Sequence, residues 1–125
     1  MAEGFEKLAA WQKSIDLAER VYKTTQDFPD SERIGLVAQM RRSSCSIGSN
    51  IAEGYGRVGR GDYIKHLGNE RGSAFELKTQ IVIARRIGLC IDEDVVELCR
   101  EVIMILCKLM ASLGANSVRE EQDDY

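Results

Sequence analysis

Apolar positions recur at helical spacing through almost the whole chain. Leu8, Trp11, Ile15, Ala18 and Tyr22 are three and four residues apart, which predicts a helix from about Phe5 to Phe28 with that stripe facing the core. Asp27-Phe28-Pro29-Asp30 ends it, because Pro29 disfavours helix at the residue before it. Asp30 or Ser31 is placed to cap a second segment, about Glu32 to Glu53, with Val37, Met40, Ser44, Ile47, Ile51 and Tyr55 on its inner face. That face is small as well as apolar, since Ser43, Ser44, Cys45, Ser46, Gly48 and Ser49 form a near-continuous run that lets a neighbour approach closely. Gly54, Gly56, Gly59 and Gly61 then mark a loop. A third segment, about Asp62 to Ile87, carries Ile64, Leu67, Ala74, Leu77, Ile81 and Ala84, interrupted by Arg71, and Gly88 ends it. Gly68 and Gly72, four apart, point to a close helix crossing.

The fourth segment, about Asp92 to Leu113, has Asp92 as its N-cap and Glu93, Asp94 and Glu97 at the positive end of its dipole. Val95, Leu98, Cys99, Val102, Ile105, Leu106, Leu109, Met110 and Leu113 form a full core stripe, yet Val96, Ile103, Met104 and Cys107 fall outside it. Fourteen of the nineteen residues from Val95 to Leu113 are apolar. A helix apolar nearly all round is buried nearly all round, and a four-helix domain of this size has no central position to offer. The second face is therefore expected to meet another subunit, with Val96, Ile103, Met104 and Cys107 at the interface.

Four helices of matched length joined by short connections predict an all-α, antiparallel up-down-up-down four-helix bundle. The single domain is expected to occupy residues 1–113, followed by an acidic, disordered tail at 114–125. One proline in 125 residues agrees with long helices. No run of 18 apolar residues is present, and Glu3, Glu6, Lys7 and Lys13 break up the first fourteen positions, so neither a membrane span nor a secretory signal is expected and the reading is cytoplasmic.

The net charge of −3 conceals an asymmetry. Residues 33–86 carry 10 basic and 4 acidic groups, whereas 1–32, 87–113 and the tail are each net acidic. Such a segment either faces an anionic partner or pairs with the acidic helices beside it.

Candidate chemistry is sparse. Cys45, Cys90, Cys99 and Cys107 form no C-x-x-C pair, and His66 is the one histidine, which is not a zinc pattern. Gly54-Tyr55-Gly56-Arg57-Val58-Gly59 spells G-x-G-x-x-G, but a helix rather than a strand precedes it, so it reads as loop chemistry. A di-iron bundle requires two Glu-x-x-His motifs, and none occurs. Asp62, His66 and Glu70 share a helical face, best explained as solvated charges. No catalytic residue, metal or cofactor is expected.

The stretch Gln39-Met40-Arg41-Arg42-Ser43-Ser44-Cys45-Ser46-Ile47-Gly48-Ser49-Asn50-Ile51-Ala52-Glu53-Gly54 resembles a "Q-[IM]-R-R-A-x-x-S-I-P-S-N-I-A-E-G" signature. Its owners are the four-helix-bundle proteins encoded by intervening sequences in bacterial 23S rRNA genes, the S23 family. Gly72-Ser73-Ala74-Phe75-Glu76-Leu77-Lys78-Thr79-Gln80 is similar to that family's "G-S-x-x-E-L-x-T-Q", and Phe5 to Trp11 fits its "F-x-x-L-x-x-W". The resemblance spans roughly residues 5–113. Gly48 replaces a frequent proline, implying a less kinked second helix, and Lys78 replaces a frequent glutamate. The resemblance implies a bundle that assembles into a ring of five, with a largely unknown biochemical role. A related branch, the accessory proteins of diversity-generating retroelements, is pentameric and strongly basic and binds nucleic acid and a reverse transcriptase; this chain departs from it in its pI of 5.2.

Two functional expectations follow. The first is a non-enzymatic homo-oligomer, a pentamer by resemblance, that binds RNA or another nucleic acid through Arg57, Arg60, Lys65, Arg85 and Arg86, with Tyr55 and Tyr63 able to stack on unpaired bases. In that reading Arg41, Arg42, Asn50, Glu53 and Glu76 form a structural polar network between helices, and Arg71 is likewise structural. The second is a protein-interaction scaffold with no nucleic-acid contact.

Overall fold

The computed structural model describes residues 4–5, 8–56 and 60–114, with Arg60 described in its backbone only. Four helices dominate: α1 (Ala9–Thr25), α2 (Ala38–Tyr55), α3 (Arg60–Arg86) and α4 (Glu93–Ser112). No strand occurs among the described residues. The expected tail lies outside them beyond Gly114.

Each helix packs mainly on two others, α1 on α2 and α4, and α3 on α2 and α4. The cross-helix contacts run as a series. Tyr22 meets Cys45 while Ser14 lies against Gly48, and Ser46 meets Ser73 while His66 lies against Gly54. Arg71 meets Cys107, Cys99 donates to the Ala74 carbonyl, and Arg85 pairs with Glu93. Lys13 pairs with Glu101 and Arg20 with Asp94. Leu17, Val21, Met40, Ile47, Leu67, Leu77, Val95, Val102 and Leu106 fill the centre.

The inner faces of α2, α3 and α4 fall largely where the periodicity puts them, except that Tyr55 is exposed and Ile64, Leu98, Ile105, Leu109 and Leu113 are half-buried. On α1 the expected stripe is rotated. Ala10, Ser14, Leu17, Val21, Thr24 and Thr25 are buried, while Trp11 and Ala18 are half-buried and Ile15 and Tyr22 exposed. The reason lies on α2. Its small residues accept the bulky stripe along an outer edge, where Trp11 and Ile15 lie over Gly48 and Tyr22 lies over Cys45, and slim Ser14 turns inward.

The second helix start does not use the expected cap, and the fourth uses the expected residue without a side-chain cap bond. Asp30–Glu32 form a 3₁₀ turn, Arg33–Val37 a wider π turn with non-helical backbone at Gly35, and Glu32 is the capping side chain, accepting from the Leu36 N–H at 3.5 Å. Ile34 is left 90% exposed by that turn. Asp92 holds the extended N-cap position of α4, but its side chain makes no cap bond; its N–H donates to Thr24 Oγ1 at 3.1 Å and ties α4 to the end of α1.

The close approaches are made by other glycines than the expected pair. A Cβ on Gly68 or Gly72 would meet nothing within 4 Å, whereas one on Gly48 would lie 3.0 Å from Ser14 Oγ and 3.3 Å from Ile15 Cδ1. On Gly54 it would lie 2.8 Å from His66 Cβ.

These contrasts set opposite expectations for two glycines. Gly72→Ala on exposed helix is expected to stabilise the fold by about 0.5–1 kcal/mol, and Gly48→Val to destabilise it by about 1–3 kcal/mol by forcing α1 away. Urea unfolding of the two variants checks both signs.

Candidate functional site

The cations proposed to touch nucleic acid are divided by the fold. Lys65 lies near the start of α3, beside the glycine loop, and is exposed. Arg85 and Arg86 lie at the other end of the same helix, about 30 Å away at ~1.5 Å per residue. Arg85 is already paired with Glu93. Arg57 and the side chain of Arg60 are outside the described residues. One helix thus holds these groups at two ends rather than in one patch.

Arg41, on α2, reaches across to the end of α1. Its Nε donates to Thr25 Oγ1 at 3.0 Å, Nη2 donates to the Tyr22 carbonyl at 3.3 Å, and the guanidinium lies 4.5 Å from the Tyr22 ring centre. A cation against the last turn of α1 is favoured by the helix dipole. Arg41 thus bonds across the α1–α2 seam. Asn50 donates to the Ser46 carbonyl within α2, Arg42, Glu53 and Glu76 are exposed, and the α2–α3 seam is bridged by Ser46 and Ser73 at 2.8 Å. Arg71 is buried, with Nη1 4.0 Å from Cys107 Sγ and its guanidinium 6.0 Å from the Phe75 ring centre.

The interface candidates on α4 occupy two settings. Val96 and Ile103 are half-buried and pack against the core, Cys107 is half-buried beside Arg71, and Met104 is exposed. Cys99 is buried, and burial pushes its thiol up to about 11, so it remains a thiol.

The feature the sequence reading missed is at the loop end. A cavity of about 400 Å³ opens where α1 begins, α3 begins and α4 ends. Leu8, Ala9, Ala10, Ile51, Leu67, Ile105 and Leu109 supply apolar walls, with Tyr63, Glu70 and Lys108 the polar contributors. Glu70 is not a solvated charge. It is 0% exposed, and neither carboxylate oxygen has a hydrogen-bond partner. Burial pushes its carboxyl up to about 8, which leaves it uncharged at neutral pH. His66, one turn earlier, has a buried Nδ1 that is also without a partner, and both side chains crowd Gly54. Tyr63 is half-buried in the cavity wall, and its phenol is pushed up by burial and by the neighbouring Glu70. No group of three potential metal-binding side chains occurs among the described residues. Only the four-residue spacing of His66 and Glu70 behind Gly54 hinted at this cluster.

Four long helices joined at a small-residue seam define a helical-bundle protein. The family model of the 23S rRNA-intervening sequence proteins matches residues 6–111, and the chain belongs to that family. A solved structure from Bacteroides thetaiotaomicron VPI-5482, of a protein with unknown function from the S23 ribosomal protein family, shares the fold. It superposes with a TM-score of 0.72 at 22% identity, covering 82% of this chain and 95% of that one. No curated protein matches the chain. Among the described residues no helix is long and apolar enough to cross a membrane.

The burial of Glu70 fixes a pH dependence. Its carboxyl binds a proton more tightly folded than at its ordinary value of 4.5, so its contribution to stability is greatest below about pH 4.5. The contribution falls as pH rises and is fully lost above about pH 8, at up to about 1.4 kcal/mol per pH unit. Glu70→Gln removes this dependence. The gap in unfolding free energy between variant and wild type should widen with pH across that window and then level off; a gap constant with pH would contradict the assignment.

Proposed function

We propose that this protein is a non-enzymatic homo-oligomeric module, an antiparallel up-down-up-down bundle that assembles head-to-tail into a ring in the cytosol. The opposite numerical order of the paired residues along each pair of neighbouring helices supports the antiparallel reading. The observation that carries the ring is the placement of apolar side chains on two opposite edges. One edge, along α1 and α2, carries Trp11, Ile15 and Tyr22. The other, along α3 and α4, carries Phe75, Val82, Val96, Ile103 and Met104, with exposed Val82 and Met104 at its rim. Between them, the α1–α4 edge is charged, with the Lys13–Glu101 and Arg20–Asp94 pairs. Two unlike apolar faces on opposite sides suit a heterologous contact, which closes into a ring when the rotation allows. Five subunits is the count the family resemblance implies.

A second reading, nucleic-acid contact, rests on the loop end. There exposed Lys65 follows in sequence the segment containing Arg57 and Arg60, and identical ends of several subunits would gather weak contacts.

The wild type is expected to sediment as a multiple of its 14.0 kDa monomer. The double variant Val82→Glu/Met104→Glu should become monomeric with its helical circular dichroism intact, and Ile15→Glu should do the same from the other edge. Mixing the two should give heterodimers that grow no further, because each retains one good face. A monomeric wild type would end this reading. For the second reading, affinity for a structured RNA should fall steeply with salt and weaken in Arg57→Ala/Arg60→Ala; no binding at low salt would leave the assembly alone as the function.

A further inference from the structure

The cavity at the loop end combines features that packing alone does not call for. Its walls are aliphatic, its volume of about 400 Å³ lies in the range of small-molecule sites, and Glu70 reaches it from a helix whose neighbouring core positions, Leu67, Ala74 and Leu77, are apolar. A buried carboxyl without a partner on either oxygen is costly to the fold. Among the described residues no arginine or lysine lies at hydrogen-bonding distance from it: Arg71, the next residue, reaches toward Cys107 on α4, and Lys108 lines the cavity as an exposed residue.

We infer that this cavity is a binding site for a small organic amine, whose apolar body fills the aliphatic chamber and whose ammonium pairs with Glu70. An ammonium carries three donors and no acceptor. Once ionised, the two Glu70 oxygens are acceptors in want of donors, so the two sets are complementary. A carboxylate ligand would set like charge against the ionised Glu70, and a neutral alcohol brings no charge to draw off the proton, so it gains no ion pair. The aliphatic walls, from Leu8 and Ala10 through Ile51 and Leu67 to Ile105 and Leu109, suit a short alkyl or a single aromatic group. Pairing draws the proton off Glu70, so one proton leaves for each amine bound below the titration of the free site. Among the described residues Tyr63 and His66 on α3 and Lys108 on α4 are the titratable groups beside it; the α1 and α2 side chains of the wall are apolar.

The test uses the intact protein and three probes of one shape: 2-phenylethylammonium, 2-phenylethanol and phenylacetate. Amide shifts in a nitrogen–proton correlation spectrum report binding and its place. The ammonium should perturb Ala10, Ile51, Leu67 and Leu109 and bind at least about tenfold more tightly than the alcohol, a gain expected of a desolvated charge pair. Phenylacetate should not bind. Affinity for the ammonium should rise with pH by up to about tenfold per unit until Glu70 is ionised. Glu70→Gln, an isosteric change that removes a buried acid, should cost at least about tenfold for the ammonium and leave the alcohol unchanged. Ala9→Trp, at an exposed position on the cavity rim, should block both probes whether or not the Gln variant folds. The inference is overturned if the alcohol or phenylacetate binds as well as the amine, if Glu70→Gln binds the amine undiminished, or if no probe shifts those amides at millimolar concentration. A protein that forms no oligomer would leave this test unaffected.

Discussion

Everything in this bundle depends on how closely α2 can approach its two neighbours. A helix that presents Cys45 and Gly48 to α1, and Ser46 and Gly54 to α3, lets both backbones come near enough for side chains of ordinary size to reach across. The cost is intrinsic helicity, since serine and glycine are weaker helix formers than alanine. Packing must make up the difference, and Met40, Ile47 and Ile51, spaced along the same helix and buried, supply it. The polar side chains that remain at the seam bond mostly within the helix or straight across it, as Ser44 does to Arg41 and Ser46 to Ser73.

That close seam decides what faces outward. Because α2 leaves a shallow channel, the large residues of α1 lie along its rim and not in the centre, and the bundle acquires an apolar edge on one side. The opposite edge arises differently, from an α4 with more apolar residues than four helices can enclose. Charged residues are confined largely to the remaining sides, where Lys13, Arg20, Glu101 and Asp94 pair across α1 and α4. Exposed pairs of this kind contribute little stability, but they make that side a poor surface for apolar contact.

Much of the fold was legible because three of the helices bury what their periodicity says they bury. Met40, Ile47 and Ile51, Leu67, Leu77 and Ala84, and Val95, Val102 and Leu106 all lie inside. Helix one was not legible in the same way. Hydrophobicity alone ranks Trp11 and Ile15 above Ser14 and Thr24, yet the space beside a small-residue helix selects by width, and the slim residues took the inner positions. Glycine spacing misled for a related reason: Gly68 and Gly72 look like a crossing but face open space, while Gly48 and Gly54, one of them within a loop-like motif, make the approaches. The cavity was hidden because charge in a sequence reads as solvation. Glu70 shares its helical face with Asp62, and only the packing of α2 against α3 at Gly54 shows that one of the two is exposed and the other enclosed. The basic middle of the chain could be counted but not placed: Arg41, Arg71 and Arg85 each found a contact inside the fold.

The loop-end cavity also says something about how the chain is threaded. Leu8 and Ala9, where the first helix begins, and Leu109, in the last turn of the fourth, line the same chamber. The path through the four helices thus returns to its starting point, and the bundle is close to a closed circuit. Such a circuit can be opened elsewhere. A short linker joining Leu113 to Leu8, with new ends cut in the glycine loop between α2 and α3, would give a circular permutant that keeps every helix contact. The same geometry fixes where attached sequence emerges: anything joined just before Leu8 or just after Leu113 leaves beside the mouth of the chamber, so a fusion partner placed there stands at its entrance.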